Sequence, residues 1–312
     1  MMMAKKSHKL AITTSTFAEF DPSLLEPLKD AGFEVVFNSS GTKLKQEEIV
    51  RLCSGCVGII AGTEEYSADI LGKLPGLKVI SRCGSGRENI DRAAALKLKI
   101  KIFSTAEAPV TAVAELTVAL MLNLLRQIPQ MDRDMHQDKW NKRMGHLLCG
   151  KKVGIIGFGR IGKKVAELLK PFGVKLAYCD PQPAGITAGV ERMALADLLA
   201  WADIISVHTA GKERILGGDE LKLMKKGSWL LNLSRGSSVD EGVLSQMLEN
   251  GRLAGAAIDV FDQEPYNGAL KDLDNVILTP HIGSYAREAR IEMEKEAVKN
   301  LLKGLYREIY NE

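Results

Sequence analysis

Lys152-Val153-Gly154-Ile155-Ile156-Gly157-Phe158-Gly159-Arg160-Ile161-Gly162 joins an apolar run to a glycine-rich turn, and residues 163–169 after it return to helical spacing. A strand that turns through G-x-G-x-x-G into a helix is the signature of a dinucleotide site. The glycines alone are a weak signal; the correct flank on each side makes them a strong one. Gly157 permits the tight turn, Gly159 lets the backbone approach a pyrophosphate, and Gly162 lets helix and strand pack closely. Arg160 and Ile161 belong to the same contact set, where free N–H groups and the positive end of the helix dipole meet the anion. Asp180 ends the next apolar run, close to the ~20-residue spacing at which a carboxylate accepts hydrogen bonds from the adenosine ribose. Its charge repels a 2′-phosphate, and Pro181, Gln182 and Pro183 bring no Arg or Lys to receive one. The expected cofactor is therefore NAD rather than NADP.

Working outward, apolar runs at 152–156, 175–179, 203–207, 228–233, 254–258 and 276–279 alternate with helical segments. That alternation predicts a Rossmann-type, doubly wound parallel sheet of six strands. Upstream, shorter runs at 9–13, 34–38, 57–61, 78–82 and 100–103 alternate with amphipathic stretches in the same way, which predicts a smaller, flavodoxin-like α/β domain. A long helix at 110–126, preceded by Pro109 and followed by Pro129, carries apolar residues nearly all round. Such a helix is central or part of a subunit interface. The last helix, 288–310, has no strand after it and is free to pack back on the first domain. The expected division is 1–103 completed by 286–312 for the smaller domain, and 104–285 for the nucleotide domain.

Bulk properties narrow the function classes. With 312 residues, 46% hydrophobic and 26% charged, the chain has room for two cores and falls outside the disordered and fibrous classes. A net charge of +3 without any long basic run gives no support for nucleic acid as a partner. The most apolar stretch, 116–125, is about half of the ~20 residues that a membrane span needs. Lys5, Lys6 and Lys9 precede no signal-like apolar segment, and the five cysteines are odd in number and scattered, so a cytoplasmic protein with reduced thiols is expected. Cys53 and Cys56 form a lone CxxC, read as a helix end with a sulfur packed inward rather than a redox pair.

In an open parallel sheet, ligands bind beyond the carboxyl ends of the strands. Asp180, His208, Arg235, Asp259 and His281 all stand at such ends. Hydride transfer at a 2-oxo acid needs a proton donor for the forming alkoxide, a cation for the carboxylate or carbonyl, and a group that stabilises the protonated donor. His281, Arg235 and Glu264 supply these three parts: an imidazole that can accept and return a proton, a planar guanidinium fork, and a carboxylate for the ring. Singly, each has a plainer reading, as a core imidazole, a surface-paired arginine or a solvated loop glutamate. Their joint placement beside a nucleotide motif favours chemistry. His208 lines the adenosine or nicotinamide region or is structural; the residues alone leave both open.

Three segments carry a family resemblance: Asn232-Leu233-Ser234-Arg235-Gly236, Ile258-Asp259-Val260-Phe261-Asp262-Gln263-Glu264-Pro265, and Thr279-Pro280-His281-Ile282-Gly283. With Asn89-Ile90-Asp91 and Val113-Ala114-Glu115-Leu116, they resemble the D-isomer-specific 2-hydroxyacid dehydrogenases, the phosphoglycerate dehydrogenase branch being nearest. The resemblance implies a small 2-hydroxy or 2-oxo acid as substrate and no metal. It implies that Arg235, Glu264 and His281 are catalytic, that Asp259 holds the nicotinamide carboxamide with Gly283 among the cofactor contacts, and that amides at Gly84, Ser85 and Gly86 bind the substrate carboxylate. A homodimer through the nucleotide domains is also implied.

Two departures stand out. Where that branch places an arginine for a substrate phosphate, this chain reads Ala61-Gly62-Thr63-Glu64-Glu65, so that a phosphate meets carboxylates unless Arg82, Arg87, or a partner subunit's Lys142 and Arg143 compensate. The sequence stops at Glu312, so a further regulatory domain is not expected. A glyoxylate or hydroxypyruvate type of 2-oxoacid reductase and a non-catalytic, NAD-sensing scaffold of the corepressor type are the alternatives.

Overall fold

Short apolar runs of Val, Ile and Leu, closed by capped helices, build two units, Met1–Pro109 with Tyr285–Glu312, and Val110–Ser284. These borders fall up to six residues from the expected ones, because the last strand of the first unit runs to Ser104 and the long helix begins at Val110. The computed structural model describes residues 8–182 and 189–309; Lys5, Lys6, Pro183 and Tyr310 lie outside them.

In the first unit, β1 (Lys9–Ile12), β2 (Glu34–Phe37), β3 (Cys56–Ala61), β4 (Val79–Arg82) and β5 (Lys101–Ser104) pair in parallel in the order β2-β1-β3-β4-β5. This is the flavodoxin-like order. Ser67 and Asp91 cap two of its helices by accepting the Ile70 and Ala94 N–H groups, and the second of these helices, Arg92–Lys97, is an element additional to the sequence reading. The helix Arg287–Ile309 completes the unit, with Met293, Ala297, Leu301 and Leu305 buried with Leu10, Ile12, Ile60 and Val79 in one core.

The second unit holds β6 (Lys152–Ile156), β7 (Lys175–Cys179), β8 (Val190–Arg192), β9 (Ile204–Val207), β10 (Trp229–Asn232), β11 (Gly255–Ile258) and β12 (Val276–Leu278). They form one parallel sheet in the order β12-β11-β10-β9-β6-β7-β8. Among the described residues that makes seven strands where six were expected. β8 is three residues long and lies at the sheet edge, too short to show periodicity. Side chains alternate between two cores: Val153, Ile155, Trp229 and Leu231 enter one, Ile156 and Leu230 the other. The helix Val110–Arg126 spends its apolar residues inside this unit, packing on Arg160–Leu169 and on β10, β11 and β12. Pro129, expected as a stop, is instead the second residue of the next helix, Ile128–His136.

No single helix among the described residues is long and apolar enough to cross a membrane. Cys53 and Cys56 are both buried; burial pushes the Cys56 thiol up to about 11 and the Cys53 thiol further, which keeps both protonated and unreactive.

Candidate active site

The glycine turn has the geometry its residues imply. Gly157 adopts φ +88°, and a Cβ there would lie 2.5 Å from the His208 carbonyl oxygen. A Cβ at Gly162 would overlap the Gly157 carbonyl, so both positions exclude a side chain. Above Gly159 nothing lies within 4 Å, which leaves an open approach to the backbone at the start of the helix Arg160–Leu169. Asp180, just past β7, accepts the Phe158 N–H at 2.7 Å and the Gln182 N–H at 2.8 Å. The carboxylate therefore ties the glycine turn to the loop after β7, and lone pairs remain on it for a ribose. These residues fit a dinucleotide.

His208 follows β9. Its Nε2 meets the Ser206 hydroxyl at 2.8 Å, its Nδ1 is buried with no partner among the described residues, and burial lowers its pKa from 6.5 to about 4. The ring is thus neutral at pH 7. The unfolded imidazole takes up its proton first as the pH falls, so the stability is complete above about pH 6.5 and drains away as the pH drops towards 4. By pH 4.5 the cost is about 2 kcal/mol. In urea denaturation across that window, His208→Gln is expected to remove this part of the slope; identical slopes in variant and wild type contradict it.

Three neighbouring strands, β10, β11 and β12, send adjacent loops from their carboxyl ends, and these loops carry Arg235, Glu264 and His281. After β10, Asn232 accepts the Ser234 N–H and hydroxyl and donates to the Arg235 carbonyl, while an Arg235 Nη1–H bonds the Ser234 carbonyl at 2.7 Å. Gly236 packs so tightly on the next loop that a Cβ there would overlap the Phe261 peptide. From β11, Glu264 accepts the Phe261 N–H and meets His281 Nδ1 with both oxygens, at 2.9 and 3.1 Å. His281 has φ +53°, and its side chain stays 52% exposed, so that the ring is held at one nitrogen and open elsewhere.

Asp259, 1% exposed, accepts the Thr279 hydroxyl, the Ile282 N–H and the Gly283 N–H, thereby fixing the loop that presents His281. Burial raises its pKa against the pull of those donors. Sequence reasoning cast Asp259 and Gly283 as cofactor contacts only; their part in holding this loop was missed. The Gly236–Phe261 contact was missed too.

Within the first unit, the Gly84 N–H donates to the Thr105 hydroxyl at 2.7 Å, and Gly84 has φ +135° in the loop containing Ser85 and Gly86. Glu64 is 3% exposed and accepts the Gly62 N–H and the Thr13 hydroxyl, so that only Glu65 of that pair meets solvent. Of the arginines named as compensating cations, Arg87 bonds the Ser104 hydroxyl and Arg82 the Cys83 carbonyl; in the second unit, Arg143 pairs with Asp134 and Asp274.

A glycine turn for a dinucleotide and a His–Glu pair beside an arginine loop, on one edge of one sheet, define a class of nucleotide-dependent oxidoreductases. The chain belongs to the D-isomer specific 2-hydroxyacid dehydrogenase family, whose NAD binding domain matches residues 118–283, and NAD is its cofactor. It is 36% identical over 286 residues to D-3-phosphoglycerate dehydrogenase of Sus scrofa, covering 88% of this chain and 53% of that one. It is 38% identical over 256 residues to glyoxylate reductase of Thermococcus litoralis, covering 77% of each. Among solved structures, the TT0316 protein from Thermus thermophilus aligns with a TM-score of 0.88 at 32% identity, over 95% of this chain and 96% of that one. The chain spans about half the length of the phosphoglycerate dehydrogenases it matches.

Proposed function

We propose that this chain is an NAD-dependent 2-hydroxyacid dehydrogenase of the phosphoglycerate dehydrogenase type, working at C2 of a small 2-hydroxy or 2-oxo acid. The observation that carries the reading is the bond between His281 Nδ1 and the Glu264 carboxylate. With Nδ1 committed to Glu264, Nε2 is the nitrogen that exchanges a proton with the substrate oxygen. It accepts the hydroxyl proton in oxidation and returns a proton to the forming alkoxide in reduction. Glu264 fixes the ring's orientation and stabilises its cationic form through a charge-assisted bond. Arg235 holds the substrate carboxylate or polarises the carbonyl.

Bound here, NAD would supply the nicotinamide that takes up or delivers the hydride. The residues that would hold the dinucleotide are Gly157, Gly159, Arg160, Ile161 and Gly162 at the pyrophosphate, Asp180 at the ribose, and His208 alongside. Asp259 has three donors already, and a carboxylate has about four lone-pair sites; the fourth is assigned to the carboxamide, with Gly283 adjacent.

The protein is proposed to work as a homodimer in the cytoplasm. Ile128, Met135, Trp140, Met144 and Leu147 of the second unit are exposed apolar side chains within 20 residues of sequence, more than a monomer leaves bare without a use. Arg143 and the His146 N–H to Leu125 carbonyl bond hold this arm in place, and a second copy is the expected cover. Five unpaired cysteines support a reducing compartment.

The full chain, given NADH and a panel of 2-oxo acids with and without a phosphate, is expected to consume absorbance at the nicotinamide band. Tight NADH binding without turnover of any acid in the panel would instead indicate a sensing scaffold.

A further inference from the structure

Beyond Asp180, the adenosine end of the nucleotide site holds a second charge. Arg192 ends β8, in register opposite Tyr178 of β7, and is exposed. Its Nη2 donates to the carbonyl oxygens of Asp180 at 2.9 Å and Pro181 at 3.2 Å. The guanidinium therefore sits on the backbone of the residue whose carboxylate is proposed to meet the ribose. Cys179 registers both charges: burial and Asp180 raise its thiol pKa, while Arg192 lowers it. The reading of 180–183 placed no cation here, because Arg192 comes 12 residues later and reaches the spot only through strand pairing.

We propose that Arg192 is a determinant of dinucleotide choice that opposes Asp180: a guanidinium already placed where a 2′-phosphate would lie, held out of use by one carboxylate. The inference rests on the NAD reading of the glycine turn. An arginine fork suits phosphate, and its bonds to the described residues leave from a single terminal nitrogen, so donors remain for an anion. What bars a 2′-phosphate is the Asp180 charge beside it. The same Asp180 oxygens accept two backbone N–H groups, so a replacement must keep an acceptor while shedding the charge.

Direct binding of NADH and of NADPH to the purified full chain, by calorimetry without any 2-oxo acid, tests this apart from catalysis. The wild type is expected to bind NADH and discriminate against NADPH. Asp180→Ser, and independently Asp180→Asn, should tighten NADPH binding at least about tenfold, with an affinity that falls as salt is added. Adding Arg192→Gln to Asp180→Ser should reverse that gain by about tenfold for NADPH while NADH is affected much less, and Arg192→Lys should keep part of it.

If Arg192→Gln weakens both dinucleotides equally in the Asp180→Ser background, Arg192 only braces the loop and the proposal is overturned. It is overturned also if NADPH binding ignores Arg192. Failure of the wild type to bind either dinucleotide overturns the cofactor reading itself, a distinguishable result.

Discussion

His281→Ala is expected to cut turnover of a 2-oxo acid by about 10²–10⁴, the contribution of a positioned acid–base group, while NADH binding and thermal stability stay close to wild type. The size follows from the ring's position. His281 is held through Nδ1 by Glu264, and its side chain is 52% exposed, so that truncation removes the proposed proton carrier without opening a core. The loop survives because Asp259 holds it through the backbone of Ile282 and Gly283 and through Thr279, none of which depends on the imidazole. Glu264→Gln separates orientation from charge. It keeps an acceptor for Nδ1 and loses the carboxylate, so its loss should be smaller than that of His281→Ala. The checks are kcat and kcat/KM in NADH oxidation together with dinucleotide fluorescence; an alanine variant that turns over at the wild-type rate removes His281 from the mechanism.

The parts that the sequence made legible are those in which chemistry sits on a local pattern. The turn Gly157–Gly162 lies between a buried strand and a helix within a dozen residues, so that the tight turn at Gly157 and the close packing at Gly162 follow from spacing alone. The adjacency of the loops that carry Arg235, Glu264 and His281 was legible for a related reason. Parallel strands place their carboxyl ends on one edge, so three loops far apart in sequence become neighbours once strand directions are known.

What stayed hidden depends on strand order and loop packing. Arg192 lies on a three-residue strand without periodicity, and its reach to the Asp180 carbonyl exists only because β8 pairs with β7. The resemblance implied a cofactor contact for Asp259, and nothing in the sequence signalled that it also accepts three donors from the loop after β12. A buried carboxylate that organises a catalytic loop and one that binds a cofactor have the same signature in sequence. They differ in which donors surround them.

Gly236→Ala is expected to be nearly as damaging as the loss of His281, for a purely steric reason. The added methyl would coincide with the Phe261 carbonyl group and the Asp262 nitrogen, which are backbone and cannot rotate away. The two loops must separate, at a cost of about 1–3 kcal/mol for forced overpacking. Arg235 precedes Gly236, and the Phe261 N–H is a donor to Glu264, so the separation moves the guanidinium and the carboxylate that orients His281 at once. Misplacement of about 1 Å costs on the order of 10² in rate, and kcat/KM is expected to fall by about that factor while the melting temperature drops by a few degrees. NADH binding should persist, because the glycine turn follows β6 and β9 lies between β6 and β10. Gly218→Ala serves as the control, since a Cβ there makes only ordinary contact with Val243 at 3.6 Å and should leave rate and melting unchanged. Wild-type kinetics in Gly236→Ala would show that the loops of β10 and β11 are not packed backbone against backbone, and the common positioning of Arg235, Glu264 and His281 would lose its cause.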